Sequence, residues 1–457
     1  MKNSGSDKNL THNLFQHLIQ QEDGMMSNTN VDLVIRGGRV LDPASGLDGI
    51  RDLWIADGKV EKITMPGECQ KEKIQEINAA GCYVMPGLID LHVHLRDPGL
   101  EYKEDIATGG MAAARGGFTT ICAMANTKPV VDCAETVSYI VEKAARVSPV
   151  HVIPVGSVTM GMEGKELTDM AAMKAAGAGA ISEDGKTVMD REVCKKGMEL
   201  AHSLGLVTMA HCEHKGMLAG GVMNDGEVSR RLGLPGFCNG AEDVIAARDI
   251  LLAEETGAKL HLCHCSTVGS VDLLRAAKKI GLPVTGEVCP HHFTLTDEAI
   301  DGTDANFKMA PPLRTAADVA AMKAGLADGT LDCISTDHAP HAAFEKEKGM
   351  LGAPCGIVGL ETAVCLTISE LVRPGVLTPM QMAEKMSYNP ARVLGSNKGT
   401  LSVGAPADVT IIDPEAEYAV DKESFASKSK NTPFHGRKVQ GRVVTTIVDG
   451  KVVYQYA

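Results

Sequence analysis

Hydrophobic and polar residues follow one pattern at both ends of the chain and another pattern in the middle. Residues 31–42 and 49–63 alternate apolar and polar positions, and Gly-Gly and Asp-Gly pairs interrupt the alternation. Residues 407–420 and 441–455 repeat this pattern, again with an Asp-Gly pair. A period of two with such turn residues predicts antiparallel β-hairpins. Because both ends are rich in predicted strands, we expect them to build one small β-sandwich domain together.

The middle of the chain alternates short apolar strands with Ala-rich helical segments. Eight strand–helix units are typical of a (β/α)8 TIM-like barrel, in which active sites lie at the C-terminal ends of the strands. The predicted strands are LIDLHVH, TTICAM, VHVIPVG, GAIS, LVTMAHC, KLHLCHC, PVTGEVCPH and LDCISTDHAP. The predicted helices include IATGGMAAARG, ETVSYIVEKAARV, DREVCKKGMELAHSLG, DVIAARDILLAEETG and SVDLLRAAKKIG.

These patterns divide the chain into an extension and two domains. Residues 1–28 are polar and irregular, which predicts a flexible N-terminal extension. Residues 29–83 and 397–457 are expected to form the composite β-sandwich domain. Residues 84–396 are expected to form the barrel, as one large α/β domain.

Composition and charge exclude several classes of protein. The 457 residues include 45 Lys and Arg against 58 Asp and Glu, a net charge of −13, so no nucleic-acid partner is expected. No apolar run reaches the ~18 residues that span a bilayer, so we expect no membrane association. The first residues lack the apolar stretch of a signal peptide. The 13 cysteines are scattered without a CxxC pair, which indicates a reduced, cytoplasmic protein.

Two histidines at the end of the first predicted barrel strand point to a metal ion. His92 and His94 are two positions apart, and such residues project to the same side of a strand. Imidazole pairs in this arrangement bind zinc or a similar divalent ion. Taken alone, the pair also fits two hydrogen-bonded histidines of a barrel core, so the later strands decide between these interpretations.

Four later strand ends also carry His or Asp. Asp184 follows the fourth predicted strand, and His211 follows the fifth. His264 follows the sixth strand and Asp337 follows the eighth. With the first pair, this makes four histidines and two aspartates at one face of the barrel, which suits two metal ions that share a bridging carboxylate. Glu183 competes with its neighbour Asp184 for the bridging position.

The strand-end motifs resemble those of type I dihydroorotases, a branch of the amidohydrolase superfamily. The resemblance covers nearly the whole chain from about residue 31. It implies the reversible cyclisation of N-carbamoyl-L-aspartate to L-dihydroorotate plus water, a step of de novo pyrimidine (UMP) synthesis. The motifs, in the family's order, are HVHLRDPG, GGFTT, MANTKP, SEDGK, AHCE, HCST, PPLR, TDHAPH and GIVGLET.

The resemblance implies a binuclear centre with two Zn²⁺ ions per subunit, of which one or both sites are filled. A hydroxide between the ions would attack the ring amide carbon, and Asp337 would act as general acid and base. Many relatives have a carboxylated lysine as the bridging ligand, but here the nearest lysine, Lys186, lies beyond Gly185. The implied ligands are His92, His94 and Asp337 for one ion, His211 and His264 for the other, and Asp184 as the bridge.

Three residues are implied in binding the substrate carboxylate that does not react. Arg96 stands two residues beyond His94, and its guanidinium can bind a carboxylate through two hydrogen bonds. By resemblance, Asn126 and His341 share this task. The alternative interpretations are a surface salt bridge for Arg96, a turn residue for Asn126 and a solvated loop residue for His341.

The remaining histidines and the nearby cysteines are expected to lie outside the metal centre. Cys263 and Cys265 flank His264, so the alternation along a strand predicts that both face away from the metal side. His291 and His292 are interpreted as structural or supporting residues. The other histidines expected to be structural or to point elsewhere are His151, His202, His214, His261, His338 and His435.

Two other functions stay open at this point. Ala310 stands where many type I members have Asn before Pro-Pro-Leu-Arg, and allantoinases also have Ala there. An allantoinase- or hydantoinase-like hydrolase of another cyclic amide is therefore the first alternative, and a metal-free scaffold is the second. A homodimer is expected, and the resemblance leaves open an association with aspartate carbamoyltransferase. Residues 342–356, rich in charge and glycine, follow the eighth strand at a position suited to cover the site.

Overall fold

The computed structural model describes residues 31–69 and 74–456. The predicted N-terminal extension, residues 1–28, lies outside the described residues. Within the described ranges, no helix is both long and apolar enough to cross a membrane.

Strands from both ends of the chain form one mixed β-sheet. They are β1 (Val31–Asp42), β2 (Leu47–Ala56), β3 (Lys59–Thr64), β4 (Gln75–Asn78), β5 (Tyr83–Pro86), β16 (Val409–Ala419), β17 (Lys438–Val448) and β18 (Lys451–Gln455). Their order across the sheet is β18-β17-β16-β5-β1-β2-β3, and β4 pairs with β1. The antiparallel pairing of β5 with β16 joins the N-terminal strands to the C-terminal strands.

Alternate residues of these strands meet in one apolar core. Ile35 of β1, Ile55 of β2, Val84 of β5 and Ile411 of β16 belong to the same buried cluster. Because strands from all parts of the sheet contribute, the sheet folds over this core as a single connected unit. The expected β domain built from both chain ends is confirmed.

The Gly37-Gly38 pair does not form the predicted turn. Strand β1 continues through it, and the pairing with β2 shifts between Ile35 and Gly38, which marks a bulge. Gly37 has a φ of +67°, and a Cβ on Gly38 would lie 2.4 Å from Cγ2 of Val84. Glycine is required here by the bulge and by the close approach of β5, and the same residues would also suit a turn.

The middle of the chain forms the predicted (β/α)8 barrel. Its strands are β6 (Leu88–Val93), β7 (Phe118–Ala123), β8 (His151–Ser157), β9 (Ala180–Ser182), β10 (Val207–Ala210), β13 (Leu260–Leu262), β14 (Val284–Val288) and β15 (Cys333–Ile334). Each strand is parallel to its neighbour. A parallel bridge between Val93 and His338 closes the ring between the first and last strands. A short separate pair, β11 (Met223–Asn224) and β12 (Gly236–Phe237), lies in the loop after β10.

Helices connect the barrel strands and cover their outer faces. Each of the five helices quoted from the sequence is present, with ends within three residues of those expected. Side-chain caps fix several starts: Asp190 accepts the backbone N–H of Val193, and Thr267 accepts that of Ser270. The α-helices are Ile106–Arg115, Ala134–Val147, Met170–Ala176, Arg191–Ser203, Glu227–Leu232, Gly240–Thr256, Val268–Lys279, Pro290–Thr294, Ala316–Ala327, Ala343–Lys346, Gly349–Gly352, Ala363–Thr367, Pro379–Ala383 and Asn389–Val393.

The segment between β16 and β17 leaves the β domain and reaches the mouth of the barrel. Ser429 Oγ donates to the carbonyl of Lys103 at 2.7 Å. The amide of Asn431 donates to the carbonyls of Ala339 and Gly356 at 3.1 and 3.0 Å. Residues outside the barrel therefore help to hold the loops at the C-terminal ends of its strands.

Candidate active site

The six residues expected to bind metal converge at the C-terminal ends of the barrel strands, and all six are buried. His92 and His94 end β6, and the other four follow β9, β10, β13 and β15. The shortest contact in the cluster joins His211 Nδ1 and His264 Nε2 at 2.9 Å. The contacts between histidines and aspartates include His92 Nε2 to Asp184 Oδ1 at 3.2 Å and to Asp337 Oδ1 at 3.6 Å, His94 Nε2 to Asp337 Oδ1 at 3.1 Å, and Asp184 Oδ1 to His211 Nδ1 and His264 Nε2 at 3.3 and 3.5 Å.

The donor atoms of this cluster fit divalent metal ions. His92, His94 and Asp337 offer three donors within 4.8 Å of one another, and His92, Asp184 and His264 offer a second such group. Nε2 of His92 and Oδ1 of Asp184 are buried without a hydrogen-bond partner. Buried polar atoms are rarely left unpaired, and ions between these nitrogen and oxygen donors would satisfy them.

The electrostatics of the cluster also favour a cation. Burial raises the pKa of Asp184, but His92, His211 and His264 outweigh it and hold that pKa well below its ordinary value. Burial lowers the pKa of His211, but hydrogen bonds to Asp184 and Glu213 raise it to about 10. The carboxylates thus attract positive charge into a buried site, whether as protons or as metal ions.

Strained backbone places three of the site residues. Arg96, His264 and Asp337 have φ angles of +61°, +34° and +49°. Residues other than glycine rarely adopt such angles, and those that do cluster at functional sites. At His264 this conformation ends the alternation of β13 and turns the imidazole toward Asp184.

The structure separates the two candidate bridging residues. Asp184 faces the histidines, as described above. The carboxylate of Glu183 turns away and accepts the backbone N–H groups of Val158 and Thr159 at 3.0 and 3.1 Å. Glu183 therefore holds the loop after β8, and Asp184 occupies the centre of the cluster.

A cavity of about 350 Å³ opens directly on the cluster. Arg96, Asn126 and His341, the residues expected to bind substrate, all line it together with five of the six proposed ligands. Ala310 also lines the cavity, so the residue that departs from the family's motif faces the same space. The position of these side chains excludes the alternative interpretation of Arg96 as a surface salt bridge, because Arg96 is buried.

Asn126 contacts the ligands as well as the cavity. Its Oδ1 lies 2.8 Å from Nδ1 of His94, and its Nδ2 donates to Oδ2 of Asp184 at 3.4 Å. The amide therefore orients His94 so that Nε2 of that ring faces Asp337.

Arg96 and His341 form one wall of the cavity. The Arg96 guanidinium donates to the carbonyl of Pro340 at 3.2 Å, and its Nη2 lies 3.5 Å from Nε2 of His341. Burial lowers the pKa of Arg96 to about 10, so the group stays charged at neutral pH. Burial and the nearby cations Arg96, Lys103 and Lys346 lower the pKa of His341 to about 2, so that ring is neutral.

Residues 342–356 form part of the cavity wall. The segment contains the short helices Ala343–Lys346 and Gly349–Gly352, and Cys355 and Gly356 line the cavity. The buried amine of Lys346 donates to the carbonyls of Pro354 and Gly356 at 3.0 and 2.9 Å. It also donates to the carbonyl of Lys308 at 3.3 Å. One lysine thus fastens the segment against the barrel.

Several residues at the site were not identified from the sequence. Glu287 and His261 lie buried behind His92, and Asn431 accepts the backbone N–H of His341 at 3.1 Å. The expectation for Cys263 was wrong: it lies in a group with His92 and Glu287, because the strand alternation ends before His264. The sequence offered one signal for Glu287: it is a charged residue inside the otherwise uncharged seventh predicted strand, in EVCPHH.

The barrel, the added β domain and the cluster of His and Asp at the strand ends define a metal-dependent hydrolase of the amidohydrolase class. Consistent with this, the family model described as Dihydro-orotase-like matches residues 81–270. The model described as Amidohydrolase family matches residues 245–454.

Similarity to known proteins narrows the class. The chain is 52% identical to a dihydroorotase of Pelotomaculum thermopropionicum, over 93% of this chain and 98% of that protein. It is 51% identical to a dihydroorotase of Citrifermentans bemidjiense, over 93% of this chain and 100% of that protein. The chain therefore belongs to the dihydroorotase family.

Solved structures of similar fold carry other names. The L-hydantoinase (dihydropyrimidinase) from Arthrobacter aurescens superposes with a TM-score of 0.84 at 27% identity, covering 93% of this chain and 96% of that chain. The dihydropyrimidinase from Brevibacillus agri gives a TM-score of 0.80 at 26% identity, covering 92% and 95%. The chain shares its fold with these enzymes, but its sequence identity to the dihydroorotases is about twice its identity to them.

Proposed function

We infer that this protein has dihydroorotase activity: it catalyses the reversible cyclisation of N-carbamoyl-L-aspartate to L-dihydroorotate plus water, a step of pyrimidine synthesis. One observation carries the inference. Three histidines and both aspartates of the cluster line a single cavity with the buried cation Arg96. Such a cavity suits a cyclic amide that bears a carboxylate, and the relatives at about 50% identity have the same activity by name.

The metal proposal follows from the fit of the cluster. We propose two Zn²⁺ ions, as in the type I branch, with His92, His94 and Asp337 at one. His211 and His264, whose ring nitrogens lie 2.9 Å apart, are proposed to bind the other. Asp184, within 3.5 Å of all four histidine rings, is proposed as the shared carboxylate. When bound, such ions acidify water and polarise a carbonyl group.

Asp337 is the proposed general acid and base. Its carboxylate lines the cavity and lies 3.1 Å from Nε2 of His94. Burial raises the pKa of Asp337, but contacts with His94 and His92 lower it by more than burial raises it. The carboxylate is therefore ionised and able to accept a proton. In hydrolysis it takes the proton of the attacking water and returns it to the departing amide nitrogen. In cyclisation it moves the proton in the opposite direction.

Arg96 is proposed to bind the carboxylate that does not react. Its planar guanidinium can form two parallel hydrogen bonds to a carboxylate. The neutral ring of His341 and the amide of Asn126 line the same space, and we propose that both contribute hydrogen bonds to the substrate. Because Asn126 also orients His94, its replacement is expected to affect metal binding as well as substrate binding.

A hydantoinase- or allantoinase-like activity is the second candidate. The fold similarity to the Arthrobacter L-hydantoinase and the small side chain of Ala310 in the cavity favour it. The two candidates differ in the substrate carboxylate that Arg96 would bind. Turnover of dihydroorotate together with no turnover of hydantoin or allantoin would exclude the alternative.

The first experiment measures metal content together with activity in both directions. We expect wild-type protein to contain up to two Zn²⁺ ions per subunit, to hydrolyse dihydroorotate and to cyclise carbamoyl aspartate. Asp337→Ala is expected to reduce both rates by about 10²–10⁴-fold while metal remains bound. Asp249→Asn, a buried carboxylate outside the site, is the control. Metal-loaded wild-type protein that is inactive on both substrates would contradict the proposal.

Three further proposals concern the whole protein. We propose a cytoplasmic location, since the cysteines of the described chain are free thiols. We propose a homodimer and leave association with aspartate carbamoyltransferase as a prediction; light scattering with and without that partner tests both. We also propose a division into two domains. The expected ranges are 29–83 with 397–457 for the β domain and 84–396 for the barrel, and we move the first boundary from residue 83 to Gly87, which lies between β5 and β6.

A further inference from the structure

Glu287 is a buried carboxylate that contacts residues assigned to both metal ions. It lies on β14 and is fully excluded from solvent. Its Oε1 lies 3.1 Å from Nδ1 of His92 and accepts the backbone N–H of His264 at 3.3 Å. Its Oε2 lies 3.1 Å from Nε2 of His261. Both oxygens are therefore paired with nitrogen groups, which come from β6 and from the neighbouring strand β13 with the turn after it.

The contact with His92 determines which ring nitrogen can bind metal. An ionised carboxylate only accepts hydrogen bonds, so His92 carries its proton on Nδ1. In the neutral ring, Nε2 then carries the lone pair that a metal ion would take, and this nitrogen lies 3.2 and 3.6 Å from Asp184 and Asp337. That nitrogen has no hydrogen-bond partner. Carboxylates commonly impose this orientation on histidines that bind metal.

The contact with His264 extends the effect to the other half of the cluster. Because the same oxygen accepts the backbone N–H of His264, it holds the strained turn that directs this imidazole toward Asp184. His261 keeps the carboxylate in place from the opposite side, and its own Nδ1 lies 2.8 Å from Oγ1 of Thr285. Glu287 is not among the residues that line the cavity, so it acts through the ligands and not on the substrate.

We propose that Glu287, supported by His261, is a positioning residue that fixes His92 and the turn at His264 and so sets the spacing between the ligands of the two ions. The proposal rests on the proposed function only in taking His92 and His264 as metal ligands. It predicts an effect on metal binding that can be measured without any substrate.

The test compares Zn²⁺ affinity in variants of the metal-free, full-length protein. Glu287→Gln keeps the shape of the side chain and removes its charge. We expect its Zn²⁺ affinity, measured by competition with a chromogenic chelator, to fall about 10–100-fold. We also expect a changed visible spectrum of the Co²⁺-loaded protein and, at saturating Zn²⁺, a lower kcat with an unchanged KM. Asp249→Asn is the matched control, because among the described residues its buried carboxylate bonds to Arg248 and Cys194 and has no hydrogen bond to a proposed ligand.

A second variant keeps the test decisive if Glu287→Gln does not fold. His261→Asn removes the support and leaves the carboxylate, so we expect a smaller loss of Zn²⁺ affinity in the same direction. Wild-type Zn²⁺ affinity and an unchanged Co²⁺ spectrum in either folded variant would overturn the proposal. If the wild-type protein itself binds neither ion, the proposed metal centre fails first and this inference fails with it.

Discussion

Arg96 is the residue on which the proposed recognition of the substrate depends most directly. Its side chain is buried, charged at neutral pH and placed in the wall of the cavity. A buried guanidinium without a carboxylate partner is costly, and an anionic substrate would supply one. The neighbouring His341 stays neutral, so the cavity presents one fixed cation beside a hydrogen-bonding ring.

Replacement of Arg96 is expected to weaken binding of the substrate carboxylate. Hydrogen bonds to charged groups contribute about 1.5–3 kcal/mol, so Arg96→Met should raise the KM for dihydroorotate about 10–100-fold with a smaller change in kcat. Steady-state kinetics with dihydroorotate and with dihydrouracil, which lacks the carboxylate, measures this. Dihydrouracil turnover should be weak and equal in both proteins. An equal loss with both substrates would show that Arg96 does not bind the carboxylate.

The neutral ring of His341 predicts a loss of stability in acid. Its pKa is about 2 in the folded protein, against an ordinary value of 6.5. Between these values the unfolded chain binds one more proton than the folded chain, so stability falls as pH falls below about 6.5, by up to ~1.4 kcal/mol per pH unit. Urea unfolding of the metal-free protein between pH 7 and pH 5 measures the slope. His341→Gln should reduce this slope by the equivalent of one proton.

At the scale of elements, the loops after the strands carry the site, and single buried groups fasten these loops. Residues 342–356 depend on the amine of Lys346, which serves three backbone carbonyls. The segment between β16 and β17 depends in the same way on Asn431, which bonds to Ala339, His341 and Gly356. Both contacts hold the wall of the cavity that contains His341.

Loss of Lys346 is expected to loosen that wall. Lys346→Met leaves buried carbonyls without a donor, and each such group costs about 1–3 kcal/mol. We expect faster amide hydrogen exchange across residues 342–356 and a higher KM for dihydroorotate. Lys348→Met is the matched control, because Lys348 lies on the same segment and is exposed. Unchanged exchange in the Lys346 variant would show that other contacts hold the segment.

At the scale of the whole molecule, the proposed ligands tie the ends of β6, β9, β10, β13 and β15 to one point. Two carboxylates and four imidazoles lie buried there, and some of their donor atoms have no protein partner. The barrel is closed next to this cluster by the bridge between Val93 and His338. Metal binding and the stability of the barrel are therefore expected to be linked.

Removal of metal is expected to destabilise the protein. An ion that binds only the folded state at 100 times its Kd adds about 2.7 kcal/mol of stability. Treatment with a chelator should therefore lower the Tm, and added Zn²⁺ should restore it, as measured by differential scanning calorimetry. Asp184→Ala, which removes the carboxylate proposed to be shared, should abolish most of the Zn²⁺-dependent increase in Tm. A Tm that does not respond to Zn²⁺ in the wild-type protein would contradict the link.

The sequence by itself determined the architecture and the residue types of the site. Strand and helix periods predict the barrel, and the positions at the C-terminal strand ends bring His92, His94, Asp184, His211, His264 and Asp337 to one face. This works because a parallel barrel places all C-terminal strand ends together, whatever the details of packing. The strands of the β domain are predictable because the alternation of apolar and polar residues at both chain ends is a local signal.

Only the tertiary structure decided how these residues are aimed and held. The positive φ of His264 ends the alternation of its strand, which is why Cys263 faces His92 against expectation. The contacts of Glu183 with the loop after β8, and the contacts of Glu287 and Asn431, depend on residues far apart in the chain. Local periodicity carries information about the face of one element, whereas the partner of a buried side chain is fixed by packing between elements.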